Sequence, residues 1–239
     1  MRIVIVKTGR TFPEVARRYG DFEDWIADRL GLPMSTIQIW DPVLTGAAPA
    51  RDQVDGAVIT GAHEMVTDGA PFAVRVGEWL SVLLERGTPI LGICFGHQLL
   101  AHILGGAVGD HPRGTELGTT WIRLAREGMC DPLLGELPSV FAAHVSHSQT
   151  VLRPPRGAVL LATGDFEQCQ ALRYSEKVWG VQFHPEFSED VCRQYVVRMR
   201  AKIEQGGYDM FSVLSEIRPT QAVQGLLRRF GDIVTAQHR

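Results

Sequence analysis

Two glycines placed two residues to either side of a cysteine, directly after a short apolar run, restrict this chain more than any other feature. In the run P-I-L-G-I-C-F-G-H-Q, which begins at Pro89, residues 89–93 read as a buried strand ending at Cys94. A helix follows almost at once over residues 96–104 and is closed by Gly105 and Gly106. A turn that tight leaves no room for a side chain at either flank, so glycine is needed at positions 92 and 96. Strand, sharp turn and helix make the repeating unit of an open α/β sheet. The turn lifts its central residue above the C-terminal edge, where such sheets bind ligands. The sulfur of Cys94 would lie near a helix N-terminus, whose partial positive charge favours thiolate. The plainer alternative is a core cysteine beside two turn glycines.

The rest of the first hundred residues alternates in the same way. Residues 2–6, 36–40 and 56–60 read as strands. Phe22, Trp25, Ile26 and Leu30 share one helical face before Gly31, and residues 71–86 read as a helix with Pro71 at its start and Gly87 past its end. The pattern predicts a mostly parallel sheet with helices on both faces. The middle third changes character: residues 119–124, 140–145, 158–162, 170–174 and 178–183 read as strands joined by short turns, continuing the sheet and adding a small antiparallel layer. From Phe187 the chain reads as helical. Val191, Tyr195, Met199 and Ile203 form one stripe, and further helices are expected at 210–216 and 220–236 on either side of Pro219. No repeat or long linker is visible, so residues 1–239 read as a single domain, with a core of about 1–190 and a helical C-terminal tail over about 187–239.

The run G-V-Q-F-H-P-E, from Gly180, supplies an acid–base pair. Pro185 has no N–H for a ladder, so it ends the strand and leaves His184 at its tip. Glu186 is two residues on and can point the same way. A carboxylate there can fix one ring nitrogen and turn the other towards the thiol, giving nucleophile, base and orienter. Singly, His184 reads as an ordinary satisfied histidine and Glu186 as a charge at a helix start.

With these two runs in order, the sequence resembles the class I, triad-type glutamine amidotransferases. The similarity spans roughly residues 40–190 and is nearest to the glutaminase domain of GMP synthases and their stand-alone relatives. The resemblance implies a flavodoxin-like three-layer sandwich, with Cys94 as nucleophile, His184 as base and Glu186 as orienter. It implies an oxyanion hole of backbone N–H groups at Phe95 and within the loop after the third strand, at Gly61 and Ala62. Many members carry a second glycine and then proline where this chain has Ala62 and His63. It also implies substrate contacts at Gln98, Ser146 and His147, although His147 reads equally as an exposed loop histidine. No role falls to His97, His102 or His111. The implied chemistry needs neither a metal nor an organic cofactor. The substrate is expected to be glutamine or another γ-glutamyl small molecule, and three readings stay open: a glutaminase feeding ammonia to a separate synthetase subunit, a stand-alone γ-glutamyl hydrolase or peptidase, and a binding module that kept the fold.

Composition narrows the remaining classes. A net charge of −3 without a basic run gives no case for nucleic-acid binding. The start, MRIVIVKTGR, is too short and too soon polar for a signal peptide, and no apolar stretch is long enough to span a bilayer, so a cytoplasmic protein with no membrane contact is expected. Cys94, Cys130, Cys169 and Cys192 are widely spaced, which predicts free thiols rather than a disulfide framework or zinc site.

Overall fold

A computed structural model describes residues 1–44 and 47–237; the last two residues of the expected domain, 238 and 239, lie outside it. The first half alternates as the hydrophobic pattern predicts. Its elements are β1 (Ile3–Val6), α1 (Pro13–Tyr19), α2 (Phe22–Leu30), β2 (Ile37–Trp40), β3 (Gly56–Ile59), α3 (Pro71–Glu85), β4 (Ile90–Ile93) and α4 (Phe95–Ile103). The second half begins with strands: β5 (Ala107–Asp110), β6 (Glu116–Leu124), β7 (Val140–His147), β8 (Gln149–Arg153), β9 (Val159–Gly164), β10 (Ala171–Ser175) and β11 (Val178–Val181). It closes with α5 (Glu189–Arg198), α6 (Arg200–Gln205), α7 (Met210–Ser215) and α8 (Gln221–Ala236).

The main sheet runs in the order β2-β1-β3-β4-β11-β10-β9-β6-β7. β2, β1, β3, β4 and β11 pair in parallel, and the ladders from β11 to β7 are antiparallel. The parallel strands β1, β3, β4 and β11 are buried on both faces, which is why they read as unbroken apolar runs. The order 2-1-3-4 with a further parallel strand is the flavodoxin-like winding. Its C-terminal edge is where a ligand site is expected.

Two apolar layers cover the faces. On one, Ile26 and Leu30 of α2 join Leu226, Leu227, Phe230 and Val234 of α8 over Ile3, Ile5 and Leu91. On the other, Trp79, Leu80 and Leu83 of α3 and Leu99 and Leu100 of α4 cover Val4, Val6 and Ile59. Burying side chains of this size contributes about 2 kcal/mol apiece, so α8 is held by its face and not by local propensity.

Three features depart from the sequence reading. Helix α1 was not expected, because Val15 is its one buried side chain and so short an element shows no period. The two-stranded sheet of β5 and β8 is half polar and carried no clean alternation. The stripe from Val191 to Ile203 predicted one continuous helix, but the chain breaks at Met199 (φ −96°, ψ 18°) between α5 and α6. That break places Met199 against the cavity described next.

Candidate active site

The C-terminal ends of β1, β3, β4 and β11 converge on one point. Cys94 follows β4 with φ 51° and ψ −102°, the one non-glycine residue at positive φ among the described residues. A conformation of that kind costs on the order of 1–3 kcal/mol and persists only where its surroundings enforce it. The enforcement is visible on both sides. The Cys94 N–H donates to Val181 O at 2.8 Å, and Cys94 O accepts from the Gln98 N–H at 3.1 Å. A Cβ on Gly92 would lie 2.5 Å from the Gly96 carbonyl, and one on Gly96 would lie 2.6 Å from Ile59 O. Cys94 thus sits at the tip of a nucleophile elbow, buried at 5% exposure, at the N-terminus of α4.

His184 is carried three residues beyond β11 and anchored by its N–H to His144 O at 2.8 Å. Its Nδ1 is 2.7 Å from Glu186 Oε1, and the Glu186 side chain is fully buried. The ring stacks on Phe187, with centroids 4.0 Å apart and planes at 19°. A Cβ on Gly61 would stand 3.1 Å from His184 Cε1 and 3.7 Å from Cys94 Cβ, so the imidazole and the thiol stem meet above that glycine. His184 Nε2 is buried without a hydrogen-bond partner among the described residues, and the Cys94 thiol faces Ser146 O at 3.7 Å. Burial alone would push the His184 pKa down. The charges of Glu186 and Cys94, with their hydrogen bonding, outweigh it and raise the pKa to about 10. The resting ring is therefore an imidazolium, the neighbour a thiolate nucleophile needs.

Two backbone N–H groups stand ready on the same side. That of Phe95 belongs to the first turn of α4, where amides have no partner inside the helix. That of Ala62 is oriented through the preceding carbonyl: Gly61 O accepts from Thr60 Oγ1 at 2.9 Å and Thr8 Oγ1 at 3.4 Å. In a planar trans peptide the Ala62 N–H must then point the opposite way. The loop shape also depends on Gly9, where a Cβ would come within 2.6 Å of Ala62 Cα. No signal in the sequence marked Thr8 or Gly9. Lys7, just before them, pairs with Asp21 at 2.8 Å and with Glu23, and Asp21 in turn accepts from the Thr11 N–H and caps α2.

A cavity of about 310 Å³ opens beside Cys94. Phe95, Gln98, Ala62, Ser146 and His147 line it, so every residue expected at the site touches one space except Gly61, His184 and Glu186, which lie beneath it. His147 is not on an exposed loop: it ends β7 and is buried at 5% exposure, with Nε2 2.8 Å from Glu116 Oε2 and Nδ1 3.0 Å from Gln149 O. Gln98 donates its amide hydrogens to Gln149 O at 2.7 Å and Gln182 Oε1 at 2.9 Å. Ser146 Oγ donates to Met199 Sδ at 3.5 Å. Arg198, Met199 and Lys202, on the far wall, were not expected there, because the stripe of their helices read as ordinary packing. His97 is a core histidine, its pKa pushed down to about 3 by burial, and its Nδ1 lies 2.9 Å from the Tyr174 hydroxyl. His102 is exposed, and His111 stacks on Phe166 at 4.3 Å. Among the described residues no group of three or more His, Cys, Asp or Glu side chains is arranged to hold a metal ion, and no helix is long and apolar enough to cross a membrane.

Comparison with known proteins bears on this geometry. The family model described as glutamine amidotransferase class-I matches residues 26–202. The chain is 41% identical over 134 residues to a GMP synthase [glutamine-hydrolyzing] of Aeropyrum pernix; the match takes in 55% of this chain and 25% of that one, so it spans about a quarter of that relative's length. It is 29% identical over 170 residues to gamma-glutamyl peptidase 3 of Arabidopsis thaliana, covering 67% of this chain and 68% of that one. The crystal structure of a Thermotoga maritima glutamine amidotransferase superposes with a TM-score of 0.76 at 21% identity, over 98% of this chain and 97% of that one, which shows a shared fold. The match over residues 26–202 covers well over half of the sequence, and the chain belongs to the class I glutamine amidotransferase family.

Proposed function

We propose that this chain hydrolyses the side-chain amide of glutamine through Cys94, His184 and Glu186, and delivers the ammonia to a synthetase active site on a separate polypeptide. The observation that carries the reading is the strained, buried Cys94 beside a His184–Glu186 pair whose Nε2 has no protein partner among the described residues. In the first half-reaction the Cys94 sulfur attacks the amide carbon and a C–S bond forms. The oxyanion is held by the N–H groups of Phe95 and Ala62. His184 gives its proton to the departing nitrogen as the C–N bond breaks, leaving a γ-glutamyl thioester. In the second, neutral His184 takes a proton from water, the hydroxide adds to the thioester, and the C–S bond breaks to release glutamate. The partner rests on the Aeropyrum pernix relative, a GMP synthase of which the match covers a quarter.

The role of Glu186 has a measurable consequence. Glu186→Gln is expected to lower kcat/KM for ammonia release by roughly 10²- to 10⁴-fold, and less than His184→Ala, because an amide still orients the ring but does not stabilise its charge. The same variant changes the pH dependence of stability. The folded pKa of His184 is raised above its unfolded value, so the stabilisation it brings is fully present below about pH 6.5 and is lost as pH rises through about 10. The Tm difference between wild type and Glu186→Gln is therefore expected to be largest near pH 6 and to shrink by pH 10. A difference that is constant with pH, together with unchanged turnover, would make Glu186 a helix-start charge and nothing more.

A further inference from the structure

The cavity wall carries charges that amide hydrolysis does not itself use. Glu64 lines it from the loop after β3, and Arg198 and Lys202 line it from the α5–α6 break. The Glu64 and Lys202 side chains have no ion-pair or hydrogen-bond partner among the described residues. Arg198 is braced and not neutralised: its Nη1 donates to Gln194 Oε1 at 2.5 Å, its guanidinium lies over the Phe12 ring at 5.9 Å, and its nearest carboxylate is that of exposed Glu14, 3.9 Å from Nε.

The neutral groups nearer the thiol are already engaged. Both ring nitrogens of His147 and the amide donors of Gln98 are taken up by protein partners. Gln149 Nε2 donates to Thr67 Oγ1 at 2.6 Å and Asp110 Oδ1 at 3.1 Å. His63 is held neutral, its pKa lowered chiefly by burial. Ionic groups of a ligand must therefore meet Glu64, Arg198 and Lys202, which are one anion and two cations. Glutamine brings one ammonium and one carboxylate and leaves one cation unmatched. A γ-glutamyl amino acid brings one ammonium and two carboxylates and matches all three.

We infer that this cavity is a subsite for γ-glutamyl compounds whose leaving amine carries a carboxylate, with Arg198 and Lys202 reading the two carboxylates and Glu64 the α-ammonium. The inference rests on the amidase chemistry proposed above and extends its substrate class. The Cys94–carbonyl C–S bond forms, the C–N bond to the amino acid breaks, the amine departs with the proton from His184, and water then frees glutamate.

The test compares γ-glutamylglycine with γ-glutamylglycinamide, which differ at the distal carboxylate alone, with glutamine run alongside. Wild type is expected to favour the acid by roughly tenfold in kcat/KM, the size of effect that one or two partly exposed ion pairs supply. In the double variant Arg198→Gln/Lys202→Gln that ratio should fall to within about twofold of one. A wild-type ratio near one, or a preference that survives in the double variant, would overturn the inference. Hydrolysis of glutamine with neither dipeptide accepted would overturn it and leave the amidase reading intact. If wild type hydrolyses none of the three compounds, the amidase reading itself fails. The wild-type ratio does not depend on how well any variant folds.

Discussion

Replacing Cys94 by serine is expected to abolish ammonia release from glutamine, with kcat/KM falling by on the order of 10⁴-fold or more, while the fold is retained. The reason is chemical and not steric. Serine fits the elbow, since its side chain is no larger and the φ of 51° is imposed by Val181, Gly92 and Gly96 and not by the sulfur. A hydroxyl, however, is a far weaker nucleophile than a thiolate beside an imidazolium. Far-UV circular dichroism and Tm should match wild type within a few degrees. Turnover that persists in Cys94→Ser would remove the cysteine from the mechanism.

A single methyl at the elbow is expected to do comparable harm by a different route. In Gly96→Ala the new Cβ would lie 2.6 Å from Ile59 O and 2.8 Å from Ile59 Cβ. The carbonyl belongs to a fully buried strand and has nowhere to move. Overpacking of this kind costs about 1–3 kcal/mol at side-chain contacts, and a clash with sheet backbone lies at or above the top of that range. The elbow can relieve the clash by lifting α4 away from β3, which moves both Cys94 and the Phe95 N–H. Gly96→Ala is therefore expected to lose about 3 kcal/mol or more in urea unfolding and at least about 10²-fold in activity, since small misplacements at a reacting centre are that costly. As a control, Gly114→Ala fills open space, although at φ 86° it carries local strain; it should leave activity near wild type.

What the sequence made legible follows from how far its constraints reach. The elbow is local: Gly92, Cys94 and Gly96 limit one another within five residues, so the order of residue types is enough to reveal the turn. His184, Pro185 and Glu186 are likewise neighbours, and the 2.7 Å contact between imidazole and carboxylate realises a spacing already written in the chain. The parallel half of the sheet was legible because strands buried on both faces are uniformly apolar. Gly9 was not, because its need for glycine comes from Ala62, more than fifty residues away. The cation wall was hidden for a related reason. The period through Val191, Tyr195, Met199 and Ile203 reports packing, and a helix break at Met199 leaves that period intact while turning Arg198 and Lys202 to the cavity. Gln98 and His147 were legible as residues near the site, but the partners that occupy their polar atoms lie at Gln182 and Glu116, and no local pattern names those pairs.

Thiol selectivity gives the most direct test, because the four cysteines differ so sharply in surroundings. Cys130 is exposed, whereas burial pushes the thiols of Cys169 and Cys192 up to about 11 and about 12. A reagent that reacts by exposure alone would find Cys130 first. A glutamine-derived diazoketone should instead be drawn to the cavity and alkylate the elbow. Peptide mass spectrometry of the wild-type chain after brief treatment is expected to show one adduct, on Cys94, with loss of glutamine hydrolysis in proportion to labelling and protection by excess glutamine. An adduct on Cys130, Cys169 or Cys192 with Cys94 unmodified would contradict the account.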